Sequence, residues 1–268
     1  METVIQAVAQ RDRLVVGVAL VGIAGVTWYN LADEAAKFSA TGVCHCASMM
    51  LGGPDASPWS PVTLVPLFLM WTEMMVAMML PAVTPLVLLF SKVARTRAER
   101  GQPYVSTAFF VSGYFAVWTA FSLGAAVAQW ILHGATLLSP QMTTNNSLVS
   151  GAFLIAAGAF QFSPLKSACL AHCRSPLTFL MTDWRNGRAG AFFMGWKHGW
   201  FCTACCWLLM VLLFVVGVMN LLWIALLALF ALSERIAPKS WRLSQITGLV
   251  LVCAGVWFLA SPLFVTTR

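Results

Sequence analysis

An all-α bundle of about seven membrane-spanning helices is the fold this sequence predicts, and three observations predict it. Of 268 residues, 60% are hydrophobic and only 9% are charged, whereas a soluble domain carries about a quarter charged residues. Apolar runs long enough to cross a bilayer recur along the chain. Basic residues gather in alternate connections between those runs, as they do at the cytoplasmic ends of spans. The runs lack the two-residue alternation of a membrane β-barrel, so they read as helices. The net charge of +7 comes from short clusters rather than one basic face, which argues against nucleic-acid binding. At about 20 residues per crossing, the chain reads as a single integral membrane domain, 1–268.

The first run, 14–31, follows Arg11 and Arg13 and has no small-x-small cleavage site, so it reads as a span rather than a signal peptide. An outer loop, 32–61, follows, with Gly52, Gly53, Pro54, Pro58 and Pro61 as breakers and Lys37 as its single basic residue. The second run, 62–90, leads into Lys92, Arg95, Arg97 and Arg100; the third, 105–132, leads into a segment, 133–147, without Lys or Arg. The fourth, 148–163, is short and opens an inner loop, 163–189, that carries Lys166, Arg174, Arg185 and Arg188. The fifth and sixth, 191–217 and 219–233, meet near Gly217, and the seventh, 244–262, follows Arg235, Lys239 and Arg242. This alternation puts the N-terminus inside and the C-terminus outside.

Seven of the eight cysteines fall in three groups: Cys44-His45-Cys46, Cys169 with His172 and Cys173, and Cys202 with Cys205 and Cys206. Thiolate and imidazole suit soft or borderline ions, and thioether narrows the choice to Cu(I), so a transition metal is expected, copper ahead of zinc. In the fifth span, His198, Cys202, Cys206 and Met210 repeat every four residues and share one helix face, with Cys205 beside it. The stripe rises about 18 Å, over half the hydrocarbon thickness. The plainer alternative is packing: small buried thiols, a gap-filling methionine and His198 at the interface.

The second span carries Met70, Met74 and Met78 at the same spacing, with Met75 and Met79 alongside and Glu73 among them. An acid in a span costs several kcal/mol unless paired, protonated or facing a cavity, so Glu73 reads as a ligand, a proton carrier or a counter-charge. The alternative is an interhelical hydrogen bond to a residue such as Asn220, Gln161 or Thr119. Pro81 and Pro85 free backbone carbonyls and bend this helix. Cys169, His172 and Cys173 fit one turn of a short inner helix. Outside, Cys44, His45 and Cys46 read either as a solvent-exposed soft-ion site or as partners in a disulfide. Together the three groups outline external capture, an interior of Met74, Met78, Glu73 and thiols, and internal delivery.

Three segments carry a resemblance: Met70 to Pro85; Phe162 to Lys166 with Cys169, His172, Cys173, Arg174 and Pro176; and Gly195, His198, Gly199, Cys205, Cys206, Trp207, Met210, Met219 and Asn220. In these the chain, from about 62 to 234, resembles the bacterial domain-of-unknown-function family described as predicted metal-binding integral membrane proteins. The resemblance implies a bacterial inner-membrane location and points to Glu73, Cys169, His172, Cys173, His198, Cys205 and Cys206. The expectation is a membrane protein that binds copper for transport or delivery to a metalloprotein or membrane complex. Two alternatives stand beside it: a thiol–disulfide or metal-dependent oxidoreductase, and a non-catalytic subunit or assembly factor packed through Gly151, Gly158, Gly248 and Gly255.

Overall fold

The computed structural model describes residues 2–41, 63–135, 138, 143–144, 146–238 and 241–265. Among them every regular element is a helix: α1 Glu2–Thr41, α2 Leu64–Glu99, α3 Thr107–Gly134, α4 Ser147–Gln161, α5 Pro164–Cys173, α6 Pro176–Thr182, α7 Gly187–Val211, α8 Leu213–Val216, α9 Leu221–Ile236 and α10 Leu243–Val265. Their starts follow local chemistry. Ser106, Asn146 and Ser163 each accept a hydrogen bond from the amide two residues on, and Pro164 occupies the first turn of α5, where no amide donor is needed. Gly217 ends α8 at φ 101°, a conformation that favours glycine, and Asn220 then caps α9.

Among the described residues, five helical stretches are long and apolar enough to cross a membrane: Leu14–Ser39, Leu64–Glu99, Thr107–Gly134, Gly187–Val216 and Leu243–Ala260. The fourth run of the sequence differs from a simple span. It breaks at Ser163-Pro164, and α4 and α5 meet at 64°, so this pair makes a sixth span only if the two are taken together. The sixth run also differs: Leu221–Ile236 has 16 residues, about 24 Å of helix against about 30 Å of hydrocarbon.

The core lies between α2, α3, α7 and α9, with α1 outside α2 and α10 outside α4. The closest packing joins α3 to α7, where Gly113 and Gly195 let the two backbones touch. A Cβ on either glycine would run into the carbonyl oxygen of Phe192 or Phe110. The same device joins α4 to α10: a Cβ on Gly158 would lie 2.8 Å from the Gly248 oxygen, and one on Gly151 2.9 Å from the Gly255 oxygen. The glycine faces read from the sequence therefore meet each other within this chain.

Pro81 lies inside α2 and has no amide hydrogen, so the Ala77 carbonyl loses its donor four residues on. Trp28 of α1 supplies a replacement, its Nε1 donating to Ala77 O at 3.1 Å. Trp28→Phe should therefore cost about 1 kcal/mol. Adding Pro81→Ala, which restores the intrahelical bond, should recover most of that loss in denaturant titrations of detergent-solubilised protein.

Candidate metal centre

The sulfur and imidazole groups of the inner loop and the fifth span, separate in sequence, form one buried cluster. The 64° bend after Ser163 turns α5 back onto α7. Cys173 of α5 is thereby brought within interaction range of Cys205 of α7, which adjoins Cys206 in sequence. Cys169 is buried beside them, and Cys202 is fully enclosed. All five are free thiols. Cys205 and Cys206 each donate to the Cys202 carbonyl at 3.0 Å, a local bond that holds both side chains against their own helix.

Two histidines complete the cluster. His172 and His198 have ring centroids 6.4 Å apart, and His172 stacks on Phe201 at 4.0 Å. His198 is 2% exposed, so it is a core residue rather than an interfacial one. His172 Nε2 and His198 Nδ1 are buried and have no hydrogen-bond partner. An imidazole nitrogen kept from water without a partner carries the cost of a missing bond, and it is also an available ligand. Phe179 of α6 packs edge-on against His172 and lies 5.4 Å from His198, closing the cluster on that side.

Two residues that sequence reasoning missed hold Cys202. The Tyr114 hydroxyl of α3 lies 2.9 Å from its sulfur, and Arg235 at the end of α9 donates through Nη2 at 2.7 Å. The Arg235 Nη1 is buried and unpartnered. In the sequence Arg235 reads as one more basic residue at the inner end of a span; only the packing of α9 turns it inward. Its neighbour Glu234 is itself anchored: the carboxylate pairs with Lys166 of α5 at 2.8 Å and accepts from Ser244 at 2.6 Å. Arg174 donates to the Glu234 carbonyl at 2.7 Å.

The remaining expected residues lie elsewhere. Glu73 faces α1, accepting from Asn30 Nδ2 at 2.9 Å, so its bond is interhelical but its partner is not one of the three named from the sequence. Met74 and Met78 are buried in the α2 core, and Met210 is buried one turn beyond Cys206. Cys44, His45 and Cys46 lie outside the described residues. Among the described residues, no three His, Cys, Asp or Glu side chains are already disposed to hold an ion. Cys205 and Cys206 are instead bonded to the Cys202 carbonyl, and Cys202 to Tyr114 and Arg235, so ligation by Cys205 or Cys206 requires that thiol to leave the carbonyl.

The cluster is a set of soft, mutually adjacent donors with a guanidinium beside it, which matches Cu(I) chemistry. Residues 68–258, well over half of the chain, match the model of the PpoB2 family, described as a copper chaperone. The chain belongs to this family. The matched region contains every member of the cluster, together with Tyr114 and Arg235, and leaves out α1 and the Cys44-His45-Cys46 segment. Family membership ties the chain to copper. No curated protein and no solved structure matches it.

The Arg235 contact carries a prediction. A bis-thiolate Cu(I) complex has one net negative charge, and a guanidinium at the sulfur offsets it in a low-dielectric site. Arg235→Gln should weaken Cu(I) binding about tenfold, equivalent to about 1.4 kcal/mol, and Arg235→Lys should weaken it less. Competition with a Cu(I) chelator measures both.

Proposed function

We propose that this chain is a membrane-embedded copper chaperone that takes up Cu(I) at the Cys169, Cys173, Cys202, Cys205 and Cys206 cluster and hands it to a metalloprotein during assembly. The single observation that carries this reading is the convergence of five buried free thiols and two imidazoles with unpartnered nitrogens from α5 and α7. Copper is the cargo. Adjacent thiols suit it, because a two- or three-coordinate Cu(I) can pass from one sulfur to the next without ever being free.

The bacterial inner membrane is the proposed location. Its support is the five long apolar helices and their outward-facing side chains, such as Val18, Val21, Leu249 and Trp257. The basic connections also gather at one end of the bundle: the Arg97 guanidinium lies 4.7 Å over Trp184, Arg188 5.6 Å over Phe109, and Lys166 pairs with Glu234. By the positive-inside rule that end is cytoplasmic. The cluster lies near it, so the proposed exchange is with a cytoplasmic-side donor or acceptor. Enclosure of Cys202 and Cys205 favours a small ion over a protein thiol as their partner, which weighs against the oxidoreductase reading.

The test is copper stoichiometry by elemental analysis of full-length protein purified in detergent under reductant. About one Cu(I) per chain is expected, resistant to zinc. Glu73→Gln, which changes a residue on the α1 side, should bind as the parent does. Reduced protein that retains no copper, or retains it equally with Cys205 and Cys206 both changed to Ser, contradicts the proposal.

A further inference from the structure

The two imidazoles are placed differently from the thiols. Cys202, Cys205 and Cys206 are enclosed, whereas His172 on α5 is only partly buried. It lies within electrostatic range of Asp183 and Lys197, an ion pair whose side chains are 25% and 44% exposed. His198 stands on α7 four residues before Cys202, one helical turn nearer the basic end, and within range of both His172 and Cys205. The pair is thus interposed between a solvated ion pair and the buried sulfurs.

Two independent observations mark the pair as a place for an ion. His172 Nε2 and His198 Nδ1 are both buried without a partner, so neither the protein nor bulk water supplies the bonds they lack, and each carries that cost. The ring centroids are 6.4 Å apart. With a metal–nitrogen bond of about 2 Å, two imidazoles that meet end-on at one ion have centroids about 6 Å apart. Phe201 stacks on His172, and Phe179 packs beside both rings, so the walls of the site are aromatic and dry. Among the described residues no third His, Cys, Asp or Glu completes a ligand set. That disfavours Zn(II), which takes a closed tetrahedral shell, and suits Cu(I), which accepts a pair of donors.

We propose that His172 and His198 form a second Cu(I) station, made of nitrogen alone, through which the ion passes between the Asp183–Lys197 surface and the thiols. This rests on the thiol cluster being the copper site. Imidazole is a less soft donor than thiolate, so the station holds Cu(I) more weakly than the cluster does. It empties into the thiols and stays filled only once they are occupied.

The experiment titrates full-length protein in detergent and ascorbate with Cu(I) against a chelator, and records X-ray absorption at one and at two equivalents. A second, weaker equivalent that adds a shell of two nitrogens, is refused by Zn(II), and is lost in His172→Leu and in His198→Leu supports the station. No second equivalent overturns it, whether the first ion has a sulfur shell or a mixed sulfur–nitrogen one. A second equivalent bound by sulfur, or one that survives in both folded variants, overturns it too. Should either variant not fold, the parent spectra alone decide. Nitrogen alone around the first equivalent would uphold the station and contradict the thiol reading, whereas no copper at either equivalent contradicts both.

Discussion

Cys205→Ser should lower Cu(I) affinity about a thousandfold, about 4 kcal/mol. Cys205 is the α7 thiol within interaction range of Cys173 on α5, and it adjoins Cys206 on its own helix. A serine hydroxyl matches its shape but is a hard donor that Cu(I) does not favour. Cys173→Ser should produce a loss of similar size. The double variant should be little worse than either single one, because each already removes the bridge between the helices and the two losses share one ion. Cys253→Ser supplies the control: that thiol is exposed on α10, away from the cluster, and its removal should leave affinity unchanged. Chelator competition at fixed reductant measures the series. Additive losses would mean that α5 and α7 bind separate ions.

The next largest effect is expected at a residue that touches no copper. Lys166 and Glu234 form an ion pair with side chains 1% and 2% exposed, and Ser244 and Arg174 add hydrogen bonds to the same residue. Such a pair adds little to stability compared with a well-packed apolar pair, but removing one member strands the other charge. Lys166→Met should therefore destabilise the protein by about 3–5 kcal/mol. Lys166→Met combined with Glu234→Leu should regain much of that loss, although Ser244 would still lack its acceptor. Denaturant unfolding in a mild detergent separates the two. The single variant should also weaken copper binding, since Glu234 lies at the helix end from which Arg235 reaches Cys202. A loss below about 1 kcal/mol would show that the carboxylate finds water or another donor instead.

What the sequence discloses and what it hides follow from the range of the interactions. Periodicity is local, so the His198, Cys202, Cys206 and Met210 face and the glycine faces of α4 and α10 are visible in one dimension. The junction of the Cys169 and Cys202 groups is not, because it depends on the bend at Ser163-Pro164 and on where α5 lands. That landing turns a proposed chain of stations into one compact cluster near the basic end. Arg235 is hidden for a related reason: a cation after an apolar run reads as topology, and its inward turn lies beside the Lys166–Glu234 pair, whose members are 68 residues apart in sequence. Glu73 shows the converse. Its place in an apolar run is plain, but composition does not fix which neighbour it meets, and Asn30 lies in α1, which carries no cysteine or histidine. Span number was hard to read because α4 and α9 carry apolar runs yet are only 15 and 16 residues long.

X-ray absorption at the copper edge of Cu(I)-loaded, reduced, full-length protein tests most directly whether thiols from α5 and α7 share one ion. A sulfur-dominated shell in the parent, which loses sulfur neighbours in Cys173→Ser and again in Cys205→Ser, is the predicted result. A shell of nitrogen and oxygen, or a sulfur shell unchanged in both variants, would contradict it.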